Sequence, residues 1–198
     1  PAPERDRHPA HHVNHNVTAP SECGGGTVPP TPDRAAAAVP PVGPLSGAEL
    51  ALVGALLWAA PADYDGALAL VRPDDFESCA VATVFDTIRR LAESRRAHSP
   101  ELVLDELRRV GRLTPELARV LASAATCGAS PGACRQLAAA VVAGAWRRRV
   151  ESAGRALADA ADTSAEPALV ALVERAVAAI RATAARLEKL RGGGELGC

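Results

Sequence analysis

The sequence has no methionine, one tyrosine, two phenylalanines and two tryptophans, and Lys189 is its lone lysine. With aromatics at 3% and apolar residues at 48%, much of the apolar content is alanine. That excludes a core built around large rings and favours helices whose small side chains let backbones approach closely. No useful stretch alternates Val, Ile or Thr with polar residues, so a half-buried sheet has no support. The fold class that remains is all-α. A charge excess is also missing: the formal net charge is −1, and residues 45–190 hold 18 basic and 18 acidic side chains. A chain that grips phosphates shows a basic surplus, so DNA binding is expected to be weak at most. No apolar run reaches membrane-spanning length; that from Leu50 to Ala60 is short and ends at Pro61. No charged region followed by an apolar one opens the chain. The five cysteines, odd in number and scattered, agree with reduced thiols in a cytoplasmic protein.

Composition divides the chain into four parts. Residues 1–44, rich in Pro, Gly, Ala and His, hold too little apolar surface to offset ordering entropy and are expected to be a disordered leader. Residues 45–130 read as a compact helical globule, residues 131–190 as a long antiparallel helical hairpin, and 191–198 as a flexible tail. The globule opens at "PLSGAELALVGALLWAAP", where Ser46 and Glu49 have the spacing of a capping box. Ser99-Pro100, Thr114-Pro115 and Ser130-Pro131 repeat one helix-start grammar, and Gly111 suits a left-handed helix end. Both phenylalanines fall in "RPDDFESCAVATVFDTIRRL". Val81, Val84, Phe85, Ile88 and Leu91 recur at helical spacing and form one apolar stripe. Phe76, nine positions ahead of Phe85, would point away on a continuous helix. It is expected to plug the core from the preceding turn, making Phe76 and Phe85 the structural anchors.

On the hairpin, Trp146, Val150 and Leu157 line one arm, and Leu169, Val173, Ile180 and Leu187 the other. A two-helix arm leaves an apolar stripe uncovered unless it finds a partner, so these residues are the expected surface for self-association. Arg147, Arg148 and Arg149 form the strongest basic cluster, either a contact patch for an acidic partner or the solvated face of the arm. The remaining constellations carry less. His8, His11, His12, His15 and Cys23 lack paired metal-ligand spacing, and Cys127 and Cys134 lack two further ligands. Asp63/Asp65 and Asp74/Asp75 sit at helix starts, where capping accounts for them. No Ser-His or Cys-His pairing is readable. Neither a cofactor nor a metal nor a catalytic residue is expected.

The order of motifs resembles the N-terminal domain of replicative DNA helicases of the DnaB type. "AELALVGALLW" is similar to that family's opening helix. "RPDDF" with "TVFDTIRRL" is similar to its P-x-D-F turn and following helix, and "VLDELRRVGRL" to its L-x-x-x-G-x-L ending. The turn "CGASPGACRQLAAAVV" stands where the family's hairpin begins. The resemblance implies a globule followed by a hairpin, with the two phenylalanines in its core. It also implies the jobs of that domain: forming a collar through hairpin pairing and binding primase.

Full helicases of the family carry a P-loop, G-x-x-x-x-G-K-[ST], and Lys189, followed by Leu190, does not fit it. The expectation is therefore a non-catalytic interaction module of the replication machinery, with itself, a replicative helicase or primase as partners. A free-standing paralogue is the favoured origin. One alternative is the N-terminal part of an ATP-dependent helicase whose motor domain lies outside this chain. Another is a helical regulator unrelated to replication.

Overall fold

Helix α1, Gly47–Trp58, is apolar nearly all round, and Leu52, Val53, Ala55, Leu56 and Leu57 are all buried. A helix without a polar face belongs in the middle of a core, and here others wrap it. The computed structural model describes residues 47–192 apart from residue 65. Among these, every regular element is helical. After α1 come two single-turn helices, α2 (Pro61–Tyr64) and α3 (Ala67–Leu70), hinged at Gly66 with φ 77°. A 3₁₀ turn, Pro73–Asp75, leads to α4 (Cys79–Glu93). Then follow α5 (Pro100–Arg109), α6 (Pro115–Thr126), a second 3₁₀ turn (Pro131–Ala133), α7 (Cys134–Ala161) and α8 (Glu166–Gly192).

The phenylalanines take the expected places. Ser78 Oγ accepts from the Val81 amide (3.3 Å) and starts α4 only after Phe76, so Phe76 enters the core from the turn. Its ring centroid lies 4.8 Å from that of Phe85, which is fully buried with Val81, Val84 and Ile88. Burying each such side chain contributes roughly 1.5–3 kcal/mol.

Where helices lack rings to fill space, they close up. Gly54 of α1 faces α6 so tightly that a Cβ there would lie 2.5 Å from the Ala124 carbonyl oxygen and closer still to Cys127 Sγ. This is the backbone contact that an alanine-rich, ring-poor composition permits.

Three start signals, those at Ser46, Ser99 and Ser130, behave differently from the sequence pattern, and Ser130 makes no side-chain cap. Ser46 lies outside the described residues, and Glu49 does not turn back to its own helix. Its carboxylate, 2% exposed, accepts from the backbone amides of Glu77 (2.8 Å) and Ser78 (3.5 Å) at the approach to α4. Ser99 makes no cap; its hydroxyl donates to Glu101 instead (2.8 Å). Thr114 caps as expected, accepting from Leu117 N (3.2 Å), and Gly111 ends α5 at φ 68°.

The globule does not stop at residue 130. Cys134, Ala138, Val141, Val142 and Ala145 of α7 belong to its core, as do Leu187 and Leu190 of α8. The hairpin root is therefore part of the globule, and only the distal arms leave it. Among the described residues no helix is long and apolar enough to cross a membrane. The expected leader lies outside the described residues, and so does the expected tail except for Arg191 and Gly192, which continue α8 instead of starting a flexible segment.

Candidate protein-interaction site

The hairpin is fastened to the globule by a buried ion cluster around Asp75. The Pro73–Asp75 turn offers this side chain inward, and no part of the residue is exposed. Arg186 of α8 donates through both terminal nitrogens (2.5 and 2.8 Å), and Arg149 of α7 adds a third bond (2.8 Å). The Arg72 amide supplies a fourth (2.8 Å). Arg149 also pairs with Asp74 (2.6 Å) and donates to Thr183 Oγ1 (3.0 Å), while Arg186 reaches the Leu70 carbonyl (2.7 Å). Burial pushes the Asp75 carboxyl up, but the Arg186 and Arg149 hydrogen bonds outweigh it, and its pKa is held below the ordinary value. Arg186 is raised by the same bond.

Arg148 extends the cluster. It donates to the Asp75 carbonyl oxygen and lies 3.6 Å from Glu49, the carboxylate under α4. Thus one turn, two arms and α1 are tied through charges that find their partners inside the protein. Among the described residues no His, Cys, Asp and Glu side chains group to hold a metal ion. Burial pushes the Cys134 thiol up to about 11. The leader histidines and Cys23 fall outside the described residues.

Beyond this root the arms are bare. No residue from Trp146 to Ala182 is buried. Val150, Val170, Val173 and Val177 are 41%, 58%, 45% and 38% exposed. Val170, Val173 and Val177 are spaced three and four apart, so they share one face of α8. The two arms pack against each other, and Leu157, Leu169, Leu172, Ala176 and Ile180 are half-buried along them.

Residues 45–141 match the family model of the DnaB-like helicase N-terminal domain. The chain is also similar to the crystal structure of the N-terminal domain of DnaB helicase from Mycobacterium tuberculosis. The TM-score is 0.58 and the identity 28%, over 68% of this chain and 94% of that one. These residues carry a DnaB-like helicase N-terminal domain. Among curated proteins, none matches. What is matched is the N-terminal part of a helicase, and the family model includes the first turns of α7, as the packing of the globule core requires.

Within this DnaB-like domain the residues proposed from sequence separate into three groups. Leu187 is 7% exposed and belongs to the root. Trp146, Leu157, Leu169 and Ile180 are half-buried, and Val150 and Val173 are exposed. The arginines divide too. Arg147 is exposed, but Arg148 and Arg149 turn inward, so the three do not form one basic patch. The physical reason is the helical turn of 100° per residue, which cannot place three consecutive side chains on one face.

Asp75 fills the capping role read for it and does more, while Asp74 pairs with Arg149. Asp75 does accept from the Arg72 amide, but its main partners lie 74 and 111 residues away. Thr183 and Arg186 were not singled out by sequence reasoning, and Glu49 was read only as half of a capping box. The one available signal was Arg186 on the apolar side of α8, next to Leu187 and one turn from Thr183. Asp63 caps as expected, accepting from the Ala60 amide (2.9 Å), and Asp65 is outside the described residues.

Proposed function

We propose that this DnaB-like domain is a non-catalytic interaction module of the replication machinery. It self-associates through its distal hairpin arms in the manner of a helicase collar, and it docks a replicative helicase or primase in the cytoplasm. The observation that carries the reading is the bare stretch from Trp146 to Ala182, in which no residue is buried although valines line one face. An isolated pair of arms this long recovers little from burial, and covering an exposed apolar stripe is what a helical partner supplies. The balanced charge of the folded part supports proteins rather than DNA as partners.

The test is oligomeric mass by light scattering at several concentrations, for the wild type and for Val170→Asp/Val173→Asp. Both positions are exposed, so the double variant keeps the hairpin, checked by circular dichroism. Placing carboxylates in an apolar interface costs a few kcal/mol each. The expected outcome is a wild-type oligomer and a variant at the 20.3 kDa of one chain. A monomeric wild type, or a variant that keeps the wild-type mass, removes the hairpin from the proposal. Ile180 is the poorer probe, because it is already half-buried.

A further inference from the structure

The globule carries a second surface that owes nothing to the hairpin. A cleft of about 840 Å³ opens between the end of α1, helix α2 and the loop from α4 to α5. Its walls are small and apolar, among them Ala59, Pro61 and Ala97, and its rim carries Trp58, 55% exposed. The indole is not loose. Its Nε1 donates to the Ala125 carbonyl (3.3 Å), which ties the ring down while half of the residue stays exposed. Ala125 in turn lines a smaller, largely apolar groove between α5 and α6. At the other side His98 packs edge-on against Tyr64 with centroids 5.4 Å apart.

Among the described residues no carboxylate lines the cleft; the charged lining is Arg95 and Arg96. Arg96 is paired with Glu106 (3.2 Å), whereas Arg95 is exposed and has no ion-pair partner among the described residues. Its backbone is unusual as well. Helix α4 ends with the Arg96 amide donating to the Leu91 carbonyl (2.8 Å) around Arg95 at φ 55°. Helix α5 ends in the same way, the Arg112 amide donating to Leu107 (2.9 Å), but around a glycine, Gly111, at φ 68°. The left-handed position favours glycine, and a long side chain held there costs stability. One of two equivalent helix ends takes the cheap residue and the other does not. Backbone strain of this kind is a pointer to function when the strained residue faces a cleft.

We propose that this cleft docks a segment of a partner protein in which a carboxylate lies within a few residues of a bulky apolar side chain. The carboxylate pairs with Arg95, and the apolar side chain lies on Trp58 against the alanine and proline walls. An exposed tryptophan in one cleft with an arginine that has no ion-pair partner among the described residues is the composition of an interface anchor. A single-stranded nucleic acid is the poorer fit. One such guanidinium does not follow a phosphate backbone, and strand binding needs a basic groove. The proposal stands apart from self-association, since no residue of the distal arms takes part.

The test pans a library of short random peptides against the full chain, then titrates enriched peptides into Trp146→Phe protein, in which Trp58 is the remaining tryptophan emitter. Enriched peptides are expected to join Asp or Glu to Leu, Ile, Phe or Trp. In Arg95→Gly their affinity falls about tenfold, the usual weight of one charge-assisted contact. The same variant is expected to unfold at higher urea than wild type, because glycine relieves the left-handed backbone. Loss of binding together with gain of stability separates a binding residue from a structural one. Val170→Asp/Val173→Asp protein binds unchanged, so failure of self-association and failure of this site are told apart. Absence of enrichment, enrichment without carboxylates, or full affinity in Arg95→Gly overturns the proposal. So does stronger quenching of Trp58 by a short thymidylate strand than by every acidic peptide.

Discussion

Replacing Asp75 by alanine removes four hydrogen bonds at once: two from Arg186, one from Arg149 and one from the Arg72 amide. The loss is not spread evenly. Arg149 keeps Asp74 at 2.6 Å and is partly reached by water. Arg186 is 9% exposed, keeps the Leu70 carbonyl at 2.7 Å, and already has a buried Nε without a partner. Alanine therefore strands a guanidinium in the interior. Breaking a buried pair by removing one partner costs about 3–5 kcal/mol, against a typical total of roughly 5–15 kcal/mol. The Leu70 bond places the expected cost near the lower end. With a urea slope of about 1–3 kcal/mol per molar, the midpoint drops by on the order of 2 M. The assay is urea unfolding followed by circular dichroism at one fixed protein concentration, since association also shifts the midpoint. Asp75→Leu combined with Arg186→Met should recover most of the loss, because a well-packed apolar pair often replaces a buried ion pair at little cost. An Asp75→Ala cost under about 1 kcal/mol would refute the stranded-charge reasoning, and so would a double variant as unstable as the two single losses added together.

Further outcomes follow from other parts of the molecule. Gly54→Ala should destabilise by about 1–3 kcal/mol, since its Cβ has no room against α6; thermal melts showing a midpoint equal to wild type would remove the close-approach argument. Phe85→Ala should cost about 3–5 kcal/mol and Val84→Ala clearly less, measured by urea unfolding. For pH, the Arg109 hydrogen bond, with Arg96 assisting, holds Glu106 at about 2 against an ordinary 4.5, and Asp75 is also lowered. Carboxyls lowered on folding contribute stability above their unfolded pKa and lose it as pH falls towards the folded value. The melting temperature should therefore drop between pH 4.5 and 2, and Glu106→Gln should flatten that slope.

The helices were legible in the sequence because their signals are local. The stripe from Val81 to Leu91, the Thr114-Pro115 start and the Gly111 stop each lie within a few residues of the structure they specify. So does the role of Phe76, since both the Pro73–Asp75 turn before it and the Ser78 cap that starts α4 after it lie within three residues. The cluster at the hairpin root was not legible, because Asp75 and Arg186 are 111 residues apart and nothing in the spacing of either announces the other. Glu49 shows how a local signal misleads: S-x-x-E is the pattern of a capping box, yet tertiary packing aims the carboxylate at the start of another helix. Arg95 was passed over for the opposite reason. One arginine among four near the end of α4 looks like an ordinary solvated charge, and only the backbone angle and the cleft distinguish it.

Burial along the two long helices is graded, and the grading separates what folds the domain from what it can do. Core contacts in α7 stop at Ala145, and those in α8 resume only at Thr183. Proximal segments with full burial share the stability of the globule, whereas segments with few buried contacts open at low free-energy cost. The ion cluster sits at that boundary, with Arg148 and Arg149 just beyond Ala145 and Thr183 and Arg186 at the return. It fixes where the arms leave the globule without consuming their apolar face. Beyond it, α7 runs about 24 Å further from Trp146 to Ala161 at 1.5 Å per residue, with Val150 exposed. A root anchored by charge and arms left apolar is the division of labour expected of a domain that is folded before it meets its partner and completed by the meeting.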